Sequence, residues 1–509
     1  MIKKVSLRKI RIALALVVFL LVTGLFLDFT GTLQTWLGWL AKIQFLPAVL
    51  ALNVAVVAVL LIATLLFGRI YCSVICPLGV FQDFVSWMSG QRKGKKFRFS
   101  YSPEKKWLRY SVLGVFILAM ILGVGSIVAL LAPYSAYGRI VQNLFQPIYI
   151  AGNNVLAYFA ERVNSYSFYS REVWLRSLPT FVIALATLIA VVVLAWCNGR
   201  TYCNTICPVG TFLSFFARFS WFKMDIDEKK CSQCGLCAKS CKASCIDFKN
   251  HKIDYSRCVV CGDCLEKCKK DALHYRHTEK PISKDVETTE TVQESADTVE
   301  NPSLRTFLTG VAVAAASTTL AQEKKKVDGG LAVIEDKVEP QRGTPLTPPG
   351  SLSANNMARH CTACQLCVAE CPNDVLRPST DLMKLMQPTM SYEKGYCRPE
   401  CTRCSEVCPT GAIIKIDRAE KSSIQIGHAV WVKKNCVSLT DGVSCGNCAR
   451  HCPTGAITMI NSVPGDDSSP KIPAINTEKC IGCGACENLC PARPFSAIYV
   501  EGHEAHRII

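Results

Sequence analysis

Apolar residues run almost unbroken through four stretches of the first half of the chain, Ile12–Phe29, Phe45–Phe67, Leu108–Leu131 and Leu178–Trp196. Each is close to the roughly 20 residues that carry a helix across a bilayer, so the pattern predicts a four-helix membrane domain over residues 1–222. The first stretch is too long, and too closely followed by the others, for a cleaved signal. Asp28 and Arg109 stand one residue inside the ends of two stretches, and no ionisable side chain lies deeper. That argues against a proton pathway. Gly123 and Gly125 resemble a fragment of a dinucleotide fingerprint, but a helix in lipid explains them better, and nothing else points to NAD or flavin.

Charge orients these stretches. Lys3, Lys4, Arg8, Lys9 and Arg11 precede the first, and Arg92, Lys93, Lys95, Lys96, Arg98, Lys105 and Lys106 lie between the second and third. Basic residues stay on the cytoplasmic side, so both ends of the four-helix unit are expected there, in a bacterial inner membrane. Much of the net charge of +17 is accounted for in this way. The basic runs lack the interleaved aromatic platform of single-strand binders, so nucleic acid is not an expected partner; the lipid bilayer is.

The polar half divides again. Glu279 to Ser303 is acidic and Ser/Thr-rich and cannot bury a core, so 279–353 reads as a linker between residues 223–278 and 354–509. Within it Ser303, Leu304, Arg305, Thr306, Phe307 and Leu308 lead into a small-residue apolar stretch ending near Ala321, then Lys324–Lys326. That order resembles a twin-arginine export signal with leucine at the first arginine; a membrane or interfacial helix over 304–321 is the alternative.

Thirty cysteines decide the chemistry. Six clusters follow, with variations, the CxxCxxCxxxC spacing of a cubane iron–sulfur site, in which three thiolates of a loop bind one cluster and the fourth reaches its neighbour. The first pair is Cys231, Cys234, Cys237, Cys241 with Cys258, Cys261, Cys264, Cys268. Exchange would give one cluster Cys231, Cys234, Cys237 and Cys268, and the other Cys258, Cys261, Cys264 and Cys241. Lys242 and Lys269 stand where proline often follows the fourth cysteine. The remaining motifs are Cys361, Cys364, Cys367, Cys371; Cys397, Cys401, Cys404, Cys408; Cys436, Cys445, Cys448, Cys452; and Cys480, Cys483, Cys486, Cys490, each followed by proline. Structural zinc would use CxxC pairs at a longer, variable interval. Disulfides belong to small loop-rich domains in oxidising compartments. Six [4Fe–4S] clusters on α+β ferredoxin-like modules, and electron transfer, are therefore expected. All eight histidines lie outside the apolar stretches and no CxxCH occurs, which removes the haem alternatives.

Gly68 to Gly79, GRIYCSVICPLG, recurs as Gly199 to Gly210, GRTYCNTICPVG. The copies follow helices of the same sense, so an axis along the membrane normal relates them. Cys72, Cys76, Cys203 and Cys207 could converge on a shared iron–sulfur or metal centre, act as redox thiols or transient metal ligands, or simply pack beneath the headgroups. The position-by-position recurrence favours the shared centre. Cys197 and Cys245 remain as spare buried thiols.

Residues 1 to about 278, with their paired CxxxCP motifs, resemble the NapH-type membrane ferredoxins, and residues 303 to 509, with the degenerate export signal and the stretched second and third motifs, resemble the NapG-type four-cluster ferredoxins. The resemblance implies an electron-transfer component of a quinol dehydrogenase system, carrying electrons from a membrane quinol to a partner reductase or electron carrier. No catalytic residue follows from it. It further implies, by analogy with four-cluster subunits of molybdenum reductases, that the first motif exchanges its last cysteine with the fourth and the second with the third. An exported four-cluster module follows from the resemblance, although Lys324–Lys326 oppose export. An electron-delivering maturation or reactivation factor for a metalloenzyme is the alternative function.

Overall fold

The computed structural model describes residues 5–91, 99–164, 168–171, 173–277 and 335–509. The linker as far as residue 334, with its export-signal-like stretch, and the basic run 92–98 lie outside the described residues. Two compact units form. Unit 1 comprises the described residues within Met1–Phe19, Ala58–Leu113 and Ala186–Ala321; unit 2 comprises those within Leu20–Val57, Gly114–Leu185 and Gln322–Ile509.

Two of the four apolar stretches are uninterrupted helices, Val5–Leu27 and Leu178–Asn198. Among the described residues only Leu7–Leu27 and Leu178–Asn198 are long and apolar enough to cross a membrane. The other two stretches are broken, which corrects the expectation of four continuous spans. Phe45–Phe67 divides into Phe45–Leu50 and Val54–Phe67. Leu52 takes a left-handed φ of 52°, and the Asn53 side chain accepts from the Val56 N–H at 3.2 Å to start the second helix. Leu108–Leu131 divides into Lys106–Leu122 and Gly125–Leu131. Gly123, at φ 73°, closes the first piece while Val124 N–H reaches back to the Ala119 carbonyl at 2.9 Å, the glycine-terminated helix end in which the last orphan carbonyls find donors. Hydropathy averages over such single-residue breaks.

Residues 222–277 of unit 1 form a small α+β body. Its first and last strands, Phe222–Ile226 and Leu273–His277, pair antiparallel, and a short hairpin, Ile246–Asp247 with Lys252–Ile253, lies between. The C-terminal part of unit 2 repeats this plan: Ile424–Trp431 pairs with Ile498–Ile508 around the hairpin Ile457–Asn461 with Lys471–Ile475. A third piece is built on the hairpin Leu376–Pro378 with Pro388–Met390.

Candidate iron–sulfur sites

In unit 1 the two copies of the repeat fold alike. Each places a five-residue helix, Ile70–Val74 or Thr201–Thr205, before a turn whose cysteine caps a second helix with proline at its first position, Pro77–Gly90 or Pro208–Ala217. Gly79 lies against the Cys72 carbonyl and Gly210 against the Cys203 carbonyl, leaving no room for a Cβ.

The copies are tied across their axis. The Arg69 guanidinium donates to the Cys203 carbonyl at 3.1 Å and the Arg200 guanidinium to the Cys72 carbonyl at 2.6 Å. Both arginines are fully buried, and Cys72, Cys76, Cys203 and Cys207 are no more than 4 % exposed. Burial pushes the Cys76 and Cys207 thiols up, and the neighbouring Cys203 and Cys72 add to it in both cases. Cys203 is pushed up to about 11 by burial, against the opposing Arg200 charge. The four thiols thus share one buried space.

That space departs from symmetry. Gln82 Nε2 donates to Cys203 Sγ at 3.2 Å, and Asp83 accepts two hydrogen bonds from Arg200 at 2.8 Å each; the other copy has Leu213 and Ser214 there. Burial alone would raise the Asp83 carboxyl, but Arg200, Lys242 and Arg11 hold it well below the usual range. Lys242, at the position expected for proline, bridges Asp83 at 3.8 Å and Asp263 at 3.0 Å. It connects the repeat to the small α+β body, as does Arg69, whose Nη1 donates to the Ser256 carbonyl at 3.0 Å. No role had been read for Gln82, Asp83 or Lys242; aligning the two copies and noting polar against apolar residues would have singled out the first two.

Within the α+β body, Cys241, Cys258, Cys261 and Cys264 line one cavity with about 360 Å³ of space between atoms, which is the exchanged set expected from the spacing. Cys237 is pushed up to about 11 by burial beside Cys231 and Cys234, and Cys231, Cys237 and Cys268 pack on the same core. Cys245 also lines the cavity. The other spare cysteine, Cys197, is exposed, not buried as expected.

Unit 2 corrects the expected exchange. Cys371 lines one cavity with Cys397, Cys401 and Cys404, and Cys408 lies beside Cys361, Cys364 and Cys367. The first motif therefore exchanges with the second. Cys452 lines one cavity with Cys480, Cys483 and Cys486, while Cys448 lies beside both Cys445 and Cys490, with Cys436 in the same core. The third motif exchanges with the fourth. The reason is local: the helices Leu366–Ala369 and Arg403–Val407 pack together, as do Asn447–Arg450 and Ala485–Asn488, so each fourth cysteine meets the loop of its sequence neighbour.

The four thiol groups follow one another in single file. Cys404 is a neighbour of Cys367, and Cys397 N–H donates to the Cys483 carbonyl at 3.0 Å. At the first group, Gly138 fits against the Cys364 carbonyl without room for a Cβ. Asn143, in the π-helical turn Val141–Phe145, donates to Gln365 at 3.0 Å. Arg176 pairs with Asp374 at 3.3 Å, and Trp174 lies under Arg377 and Lys394 at 4.8 and 4.5 Å.

Among the described residues no three His, Cys, Asp or Glu side chains stand close enough to share a single metal ion. The three cavities, lined by four or five thiols each, offer the donor set of a cubane cluster, whose thiolates stand farther apart than the ligands of one ion.

Two family models match. One, a 4Fe-4S binding domain, covers residues 49–96 and 180–227, which hold both copies of the repeat; the other, a 4Fe-4S dicluster domain, covers 443–493. The protein is a ferredoxin-type 4Fe–4S electron-transfer protein. It is 32 % identical over 178 residues to the ferredoxin-type protein NapG of Escherichia coli, covering 32 % of this chain and 75 % of NapG. To the methylamine utilization ferredoxin-type protein MauM of Methylorubrum extorquens it is 32 % identical over 200 residues, 38 % of this chain and 86 % of MauM. The chain belongs to this NapG/MauM family of ferredoxins, which accounts for about a third of its length. No solved structure matches.

Proposed function

We propose that the chain is a membrane-bound conduit that joins a NapH-type part, residues 1–278, to a NapG-type part, residues 303–509, and passes electrons from a membrane quinol to a partner redox protein. The observation that carries this reading is the single file of thiol groups in unit 2, which gives electrons a continuous route. The 24 ferredoxin cysteines would hold six [4Fe–4S] clusters, in the exchanged sets that the cavities support, and Cys72, Cys76, Cys203 and Cys207 a further cluster. Bound there, each cluster takes up and releases one electron. The chain's own residues hold successive thiol groups against one another and keep water out of their cavities.

Leu14, Leu20, Ile121 and Leu178 are each more than half exposed on their helices, apolar faces suited to lipid, as a membrane part over residues 1–222 requires. The segments around Gly138, Asn143, Trp174 and Arg176, which contact the four-motif part, lie in the stretch between the third and fourth apolar regions, and the basic runs lie before the first region and between the second and third. This supports an outer placement of residues 354–509. In that topology the chain crosses once more between the two ferredoxin parts, and 304–321 has the composition for it.

The test is metal analysis of the anaerobically purified full chain coupled to reduction by a quinol analogue. Four irons per cubane predict about 24 iron atoms, or about 28 with the repeat centre, and bleaching of the visible absorption by the quinol. Iron near eight, or zinc in its place, would remove the cluster reading. Reduction by dithionite but not by quinol would remove the donor.

A further inference from the structure

Cys245 is a buried thiol that the proposed ligand sets leave unused. After the fourth cysteine of its motif the chain reads Lys242, Ala243, Ser244, Cys245, Ile246, whereas the corresponding place after Cys268, Cys408 and Cys452 is Ala272, Ala412 and Ala456. Those alanines are all buried, so the site suits a small apolar group and a thiol is a departure. Cys245 is 1 % exposed. Its Sγ lies 3.5 Å from Cys241 Sγ, and it lines the cavity that holds Cys241 and Cys258 with Cys261 and Cys264.

We propose that Cys245 is a non-ligand thiol whose S–H donates to the ligand sulfur of Cys241, making the cluster that Cys241 and Cys258 hold easier to reduce than an alanine would. The inference rests on the reading that Cys241, Cys258, Cys261 and Cys264 bind one cluster. Four thiolates complete a cubane, so the fifth sulfur is free to keep its proton. A separation of 3.5 Å is far beyond the roughly 2.05 Å of a disulfide. Hydrogen bonds to cluster sulfurs are among the terms that set the potential, because a donor stabilises the extra negative charge of the reduced state. A thiol is a weak donor, but in a dry cavity its effect is little screened. The position matters for function. Arg69 connects the Ser256 carbonyl, two residues before Cys258, to the CxxxCP repeat, so this cluster is the one next to the repeat, and its potential governs the step between them.

The experiment compares Cys245→Ala and Cys245→Ser with the unaltered full-length protein by iron and sulfide analysis and by a redox titration followed by electron paramagnetic resonance. Cys245→Ala, which installs the residue found after Cys268, Cys408 and Cys452, should keep its iron and move one cluster to a more negative potential, leaving the rest in place. Cys245→Ser retains an O–H donor and should move that cluster back toward its original value. No movement of any cluster in Cys245→Ala would make the thiol a mere filler and overturn the proposal. Loss of about four irons, one cubane's worth, would make Cys245 a ligand and overturn it as well. The ligand reading is checked separately by Cys241→Ser: full iron retention there would remove that reading, and this inference with it.

Discussion

The guanidinium of Arg69 donates to the carbonyl of Cys203, in the other copy of the repeat, and Arg200 returns the contact to Cys72. The two arginines differ in their remaining partners. Arg69 has the neutral Asn204 side chain and the Ser256 carbonyl, and Arg200 has the Asp83 carboxylate. Breaking a buried ion pair costs about 3–5 kcal/mol, offset in part here because Asp83 keeps Arg11 at 3.1 Å and Lys242 at 3.8 Å, against about 1.5–3 kcal/mol for hydrogen bonds from a charged group to neutral partners. Arg200→Gln should therefore lower the unfolding midpoint of unit 1 more than Arg69→Gln. Adding Asp83→Asn to Arg200→Gln should recover part of the loss, as read by a double-mutant cycle.

The four CxxxCP thiols share one buried space, so they should fail together. Replacing Cys72, Cys76, Cys203 or Cys207 by serine, singly or in pairs, is expected to remove the same roughly four irons of one cubane and the same spectroscopic signal. Additive losses across the pairs would show separate sites.

Exchange between neighbouring motifs can be read by thiol alkylation and mass spectrometry. Cys490→Ser should make Cys436, Cys445 and Cys448 reactive and leave Cys361, Cys364 and Cys367 protected. Cys371→Ser should do the same to Cys397, Cys401 and Cys404. The reverse pattern would restore the exchange expected from the molybdenum-reductase analogy.

Gly138 has no space for a side chain beside the Cys364 carbonyl and the Phe26 ring. Gly138→Leu should push this segment away from the first thiol group of the file. Reduction by a quinol analogue is expected to slow at least tenfold, with dithionite reduction and iron content unchanged.

The C-terminal strand carries a pH dependence. His428 and His503 are hydrogen-bonded at 3.0 Å, and His506 bonds Thr347 at 2.9 Å. Burial, with Arg507 and His428, lowers His503; burial, with His503, lowers His506 to about 4 from its ordinary 6.5. Between those values the unfolded chain binds more protons than the folded one, so stability rises with pH. The contribution of His506 should be fully present above about pH 6.5 and lost as pH falls toward 4, seen as faster hydrogen exchange in Ile498–Ile508. His506→Gln should flatten the profile.

The 4Fe–4S class of the cofactor was legible in the chain because cubane coordination demands thiolates at short fixed spacings, which local sequence records directly. So was the recurrence of the CxxxCP segment, since glycine and proline mark the same tight turns in both copies. Exchange within residues 231–268 also followed from spacing, because only two motifs were present to choose between. With four motifs the choice passed to the tertiary structure: which short helices pack together decides which fourth cysteine meets which loop, and helix packing depends on surfaces assembled from distant residues. For the same reason Lys242 reads as a missing proline in the chain and becomes a partly buried bridge between Asp83 and Asp263 only when folded. The breaks at Leu52 and Gly123 were hidden in apolar runs, because hydropathy is summed along the chain while a backbone turn is made at one residue by the contacts around it.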